Sequence, residues 1–198
     1  MDAMKASIRS TLHSQDSIAR ERVREWIAGA QDVETLALLY QLTEAAWSRI
    51  HPELEMDETC LLIRNYFLRC IRENPRRDDG DDEEDEVVPL SRYEAAGDLE
   101  AWFDHLASNE QAKAVLQDVV VAITDLFLNS DEDVRDAIEM GFLEHVLEQA
   151  GLRHWFSHWS NDQRLQDAWQ RALEWGEAHP DLMKSKRQEL RALRLRGE

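Results

Sequence analysis

Two histidines four residues apart, His154 and His158, are the side chains in this 198-residue sequence whose spacing first suggests chemistry. On a helix, an i,i+4 pair can hold one divalent metal between two imidazoles. His145 and Glu148 lie close enough in sequence to contribute a further ligand. The surrounding pattern argues the other way. There is no His-Glu-x-x-His motif, and the residues three places before the seven histidines are all non-acidic, which removes the Glu-x-x-His pairs of helical di-iron sites. Trp155 and Trp159 interleave the pair, so a packed aromatic turn is the plainer reading, and no cofactor is expected.

The second chemical feature is an acidic run. Asp78, Asp79, Asp81, Asp82, Glu83, Glu84, Asp85 and Glu86 place eight carboxylates in nine positions, broken only by Gly80. Gly80 and Glu86 match the sixth and twelfth positions of an EF-hand loop, but the first and third ligand positions then fall on Pro75 and Arg77, so a defined calcium site fails. Two readings remain: a solvated loop that promotes solubility, and an electrostatic docking element for a basic protein surface. Phosphate-binding glycine loops, a nucleophile elbow and Cys-x-x-Cys pairs are all lacking, and the Ser, His and Asp residues show no spacing that marks a triad. The sequence is therefore not expected to be that of an enzyme.

The charge of the whole chain sharpens the second feature. Its formal net charge is −18, and subtracting the eight carboxylates of the run still leaves −10. Such a field repels phosphate backbones and anionic lipids and attracts basic proteins, so nucleic-acid and membrane partners are not expected. The segment after Asp181 runs against the trend: Lys184, Lys186, Arg187, Arg191, Arg194 and Arg196 stand against Glu189 and Glu198, a local +4. Cys60 and Cys70 stand ten apart in one helical pattern, which suits free buried thiols in a reducing compartment. The N-terminal segment lacks a signal-peptide core and no later stretch reaches membrane-spanning length without charges, so a cytoplasmic location is expected.

Helices must position these groups, because glycine and proline are scarce, at seven and four, and apolar residues recur at helical spacing nearly everywhere outside the run. The pattern predicts an all-α, single-domain bundle of about eight helices over 1–198, with an acidic flexible loop at 75–90 and a basic C-terminal helix or tail at 181–198. Ala19, Val23, Trp26 and Ile27 mark one helix; Val33, Leu36, Ala37 and Tyr40 mark the next, behind an Asp32 cap. A helix around 57–73 gathers Ile63, Tyr66, Phe67, Cys70 and Ile71 and stops before Pro75. Ser91 and Glu94 have capping-box spacing ahead of Leu99, Trp102, Phe103 and Leu106. Residues 114–128, apolar around most of the circumference, are expected to form the central helix, with Asp118 and Asp125 outward. Ser130 is the expected cap of the following helix, which buries Val134, Ile138, Phe142 and Val146 and closes at Gly151. A Trp-rich turn then leads to a last helix carrying Leu165, Ala168, Trp169, Ala172 and Leu173 on one side.

The stretch DEDVRDAIEMGFLEHVLE, within 130–149, resembles a helix of small bacterial proteins of the polymorphic-toxin immunity type. The shared features are an acidic first turn, a Val-x-x-x-Ile stripe and a Phe-Leu-Glu step. The resemblance implies a cytosolic antidote that binds a secreted toxin domain and blocks its active site. The acidic run and the basic C-terminus fall outside it, and no contact residue carries over. The functional expectation is an acidic protein-binding module for a basic partner. Its alternatives are a helical adaptor or regulatory subunit that holds a partner helix, and a small enzyme using His154 and His158.

Overall fold

A computed structural model describes residues 2–76 and 87–179. Among them the fold is all-α, as the periodicity requires, and the only strands are two residues each, Ile18–Ala19 and Ile50–His51, paired in parallel. The chain divides into two compact units, Met1–Leu99 and Glu100–Glu198. The eight carboxylates from Asp78 to Glu86 and the basic segment 181–198 lie outside the described residues.

In the first unit, α1 (Asp2–His13), α2 (Arg20–Gly29), α3 (Val33–Ala46) and α4 (Met56–Glu73) are followed by the start of α5 (Arg92–Ala107). Asp32 caps α3 as expected, its carboxylate accepting from the Thr35 amide at 2.9 Å. α3 buries Thr35 through Leu39 without a break and packs against both α1 and α4, so it is the helix covered on several sides. α4 begins with Glu58 accepting from the Glu55 amide at 2.8 Å. It ends at Asn74, which adopts the left-handed conformation at φ 45° and accepts from the Arg92 amide through Oδ1 at 2.9 Å. The halt before Pro75 is thus enforced from both sides. The Ser91–Glu94 box forms at the head of α5, with Glu94 Oε2 2.8 Å from the Ser91 amide.

The second unit contains α6 (Lys113–Leu128), α7 (Glu132–Ile138), a π-helical turn (Glu139–Leu143), α8 (Glu144–Glu148), a 3₁₀ segment (Arg153–Asn161) and α9 (Gln166–Ala178). Asp118 and Asp125 are exposed as expected, but α6 is not covered on several sides: Val121 at its middle is 67% exposed. Its outward face runs through Ala114, Gln117, Asp118, Val121 and Asp125, which leaves one buried face of ordinary amphipathic width. The cap of α7 is Asp131 and not Ser130, because the Asp131 carboxylate reaches the Val134 amide at 3.1 Å. Val134, Ile138, Phe142 and Val146 are all buried. Phe142 meets Phe103 and Phe156 at ring separations of 5.7 and 5.6 Å, mostly edge-on, which is the favoured arrangement of aromatic quadrupoles. α8 and α9 touch backbone to backbone at Gly176, where an added Cβ would stand 2.7 Å from the Glu148 nitrogen.

The expected stripe explains the π turn. Val134, Ile138, Phe142 and Val146 recur every four residues, whereas an α-helical turn takes 3.6, so the stripe drifts by about 40° at each step. One wider turn at Glu139–Leu143 absorbs the accumulated drift and keeps all four side chains in the core.

Candidate functional site

A second stripe shares that four-residue repeat. Glu132, Asp136, Met140 and Glu144 are offset by two from the buried set, so the π turn that returns the apolar residues to the core also lines these up on one outer face. Across from them α9 presents Arg171, Glu174 and Trp175. Together with Glu139 they enclose an open cleft of about 790 Å³ within the second unit.

Its electrostatics are set by five carboxylates against one guanidinium. Glu139 is buried and is held by Arg171 through two hydrogen bonds, Nε to Oε1 at 2.7 Å and Nη2 to Oε2 at 2.6 Å, a bidentate pair that raises the arginine's pKa. That pair uses the only cation lining the cleft among the described residues, so Glu132, Asp136, Glu144 and Glu174 are left to define its field. Glu144 is half-buried, and its pKa is pushed up to about 7, first by loss of solvent and then by the like charge of Glu139, with His179 acting in the opposite sense. An apolar wall completes the cleft. Met140 is 45% exposed, and the Trp175 indole is fixed by an edge-on contact with His145 at 5.0 Å and a stack with His179 at 4.6 Å.

Groups of these types, so placed, suit an organic cation. Carboxylates attract an ammonium or guanidinium, while the methionine and the indole take the aliphatic stem that carries it. A carboxyl that titrates near neutrality could also move protons, but among the described residues lining the cleft there is no hydroxyl or thiol for it to serve. Compared with known proteins, the chain matches no family model, no curated protein and no solved structure.

The other expected site residues are placed as follows. His154 and His158 lie on the 3₁₀ segment, where three residues make a turn, so positions four apart point about 120° away from each other. His154 Nδ1 lies 2.9 Å from the Gly151 carbonyl, and His158 Nε2 lies 3.4 Å from Thr124 Oγ1. The spacing that suggested a shared metal presumed an α-helical turn. Among the described residues no group of three His, Cys, Asp or Glu side chains is placed to hold a metal ion. Cys60 and Cys70 are free and buried in α4, and burial pushes their thiols up to about 11 and about 12. Such thiols are poor nucleophiles. Among the described residues no helix is long and apolar enough to cross a membrane.

Sequence reasoning did not pick out Glu132, Asp136, Glu139, Glu144, Arg171, Glu174 and Trp175. The signal for the first three acids on the outer face was present: the four-residue repeat that marked the buried stripe also spaces Glu132, Asp136 and Glu144. What no spacing predicted was the opposing wall from α9, some thirty residues downstream.

Proposed function

We propose that this chain is a cytosolic, acidic protein-binding module that takes a basic surface of a partner protein. Immunity-type inhibition of a toxin domain is the biological form that the resemblance of 130–149 suggests. The observation that carries the reading is the cleft of the second unit, where five carboxylates and an apolar wall are mounted on packed helices. A site mounted on helices supplies specificity, because a lysine or arginine side chain that enters it can meet the carboxylates and the Met140 and Trp175 wall together. The acidic run from Asp78 to Glu86 has a complementary part in this proposal: charge that steers encounter and is screened beyond about 8 Å at physiological salt.

The test compares two variants, each with four acids replaced by amides, at pH 8, where Glu144 is mostly ionised. One neutralises the cleft (Glu132→Gln, Asp136→Asn, Glu144→Gln, Glu174→Gln); the other neutralises exposed acids elsewhere (Glu44→Gln, Glu53→Gln, Glu110→Gln, Asp118→Asn). A partner captured from the source cell with the wild-type chain should be basic and, once purified, should dissociate at least about ten-fold faster from the cleft variant than from the control. Neutralising the run should slow association and flatten its salt dependence while leaving dissociation unchanged. Equal behaviour of the two four-site variants, or a partner that is not basic, would overturn the reading.

A further inference from the structure

The first unit carries a cleft of the opposite character. It measures about 510 Å³ and is walled by α1, by the connection that follows it and by Arg22 of α2. Its polar lining is mostly hydroxyl, from Ser7, Ser10 and Thr11 on the helix and from Ser14 and Ser17 beyond it. Three of these hydroxyls already donate within the protein: Thr11 to the Ser7 carbonyl at 2.8 Å, Ser14 to Asp16 Oδ2 at 2.7 Å, and Ser17 to the Arg49 carbonyl at 3.4 Å. Two keep their protons for something else. Ser7 Oγ accepts from Arg22 Nη2 at 2.8 Å, so its own hydrogen is not committed there, and Ser10 makes no side-chain hydrogen bond among the described residues.

Arg22 is the arginine that lines this cleft, and like Arg49, Arg72 and Arg135 it has no carboxylate at ion-pair distance among the described residues. The chain carries a net charge of −18, and arginines 20, 24, 69, 76, 153, 164 and 171 each have a carboxylate within ion-pair distance. Among the described residues none lies so close to Arg22. Its guanidinium is instead positioned by Ser7 and by the Trp26 ring, whose centroid is 5.0 Å from Cζ. Cation–π contact and one neutral acceptor hold the group in place without cancelling its charge. The local balance agrees: residues 1–29 contain Lys5, Arg9, Arg20, Arg22 and Arg24 against Asp2, Asp16, Glu21 and Glu25, one base in excess where the chain as a whole is strongly acidic.

We infer that this cleft is an oxyanion site, in which Arg22 and the hydroxyls of Ser7 and Ser10 bind the phosphate group of a phosphomonoester or inorganic phosphate. The chemistry fits because a guanidinium offers a planar pair of N–H donors to two phosphate oxygens, while serine hydroxyls rotate to meet the third. Asp16 is the opposing element on the cleft wall, and the hydrogen bond it accepts from Ser14 diminishes its repulsion without abolishing it. The global field also repels anions, so added inert salt should strengthen phosphate binding and not weaken it. This site is independent of the acidic cleft proposed for the partner.

The experiment is a nuclear magnetic resonance titration of the full chain with inorganic phosphate at fixed ionic strength, followed by a phosphoserine peptide and its unphosphorylated twin. Saturable shifts confined to Ser7, Ser10 and the Arg22 side chain are expected, weakened roughly ten-fold or more in Arg22→Gln and strengthened in Asp16→Asn. Arg72→Gln, which removes an exposed arginine elsewhere in the first unit, should leave the curve unchanged. Tighter binding of the phosphopeptide than of phosphate would identify a protein-borne ester as the source, and equal binding would identify a small phosphate. Shifts that do not saturate, that spread over many arginines, or that persist unchanged in Arg22→Gln would overturn the inference.

Discussion

The two units use similar helices to opposite electrostatic ends. In the first, the cleft beside α1 is lined with hydroxyls around a guanidinium that has no carboxylate within reach among the described residues; in the second, the cleft beside the π turn sets five carboxylates around a guanidinium already bound by Glu139. Their cores differ as well. The first sets the leucines of α3, including Leu36, Leu38, Leu39 and Leu42, beside a cluster of Tyr40, Tyr66 and Phe67, whereas the second gathers Phe103, Phe142, Phe156 and Trp159. The lesson is that a net charge of −18 describes the far field of this molecule and not the chemistry of any one cleft.

The comparison can be broken most forcefully in the aromatic core. Phe142→Ala should cost about 3–5 kcal/mol, because a fully buried ring in edge contact with two others leaves a cavity its neighbours cannot fill. Denaturant unfolding measures this, and an unchanged midpoint would place the ring on the surface.

A pair of glycines gives the next largest contrast. Gly176→Ala should destabilise by about 1–3 kcal/mol or more, since its Cβ would stand 2.7 and 2.9 Å from backbone atoms of Glu148, which cannot swing aside. Gly97→Ala in α5 of the first unit should instead stabilise by about 0.5–1 kcal/mol, because an added Cβ there meets nothing within 4 Å. Thermal unfolding of the two variants should therefore move in opposite directions.

Glu144 separates the clefts by pH. Its folded pKa, about 7, lies above its ordinary value of 4.5, so between these values the folded chain binds more protons than the unfolded chain. Stability from this group is then fully present below the lower value and falls as pH rises toward 7. Glu144→Gln should raise stability at pH 8 by about 1 kcal/mol, a figure reduced for the solvent screening of a half-buried group, and by little at pH 4. Equal gains at both pH values would show that the carboxyl is not perturbed by its cleft.

The smallest effect belongs to the surface of the first unit. Glu73→Gln, which removes the i,i+4 partner of Arg69, should cost only about 0.3–0.5 kcal/mol and less at high salt. A larger loss would mean that Arg69, which also donates to the Gln31 carbonyl at 2.7 Å, depends on Glu73 for its aim.

Much of this architecture was written locally. The caps at Asp32 and at Ser91–Glu94 were legible because a side chain and the amide it satisfies lie within four residues of each other. The shift of the α7 cap from Ser130 to Asp131 shows the limit of that legibility: two adjacent capping residues are both competent, and the packing of the helix decides which one reaches the Val134 amide. The His154–His158 spacing shows a related limit. A spacing has meaning only once the helix type is known, and the 3₁₀ geometry turns the two rings apart.

What the sequence determined by itself was the helical class, the placing of most helices, the buried stripe from Val134 to Val146, and the acidic field, since all of these follow from local periodicity or from counting charges. The tertiary structure alone decided which helix is most covered, with α3 taking the place expected of 114–128, and which charges meet across the clefts. Arg171 reaches Glu139 over thirty-two residues, and Arg22 reaches Ser7 over fifteen. The physical reason is that periodicity orients a side chain about its own helix axis, whereas its partner is chosen by the packing of another helix.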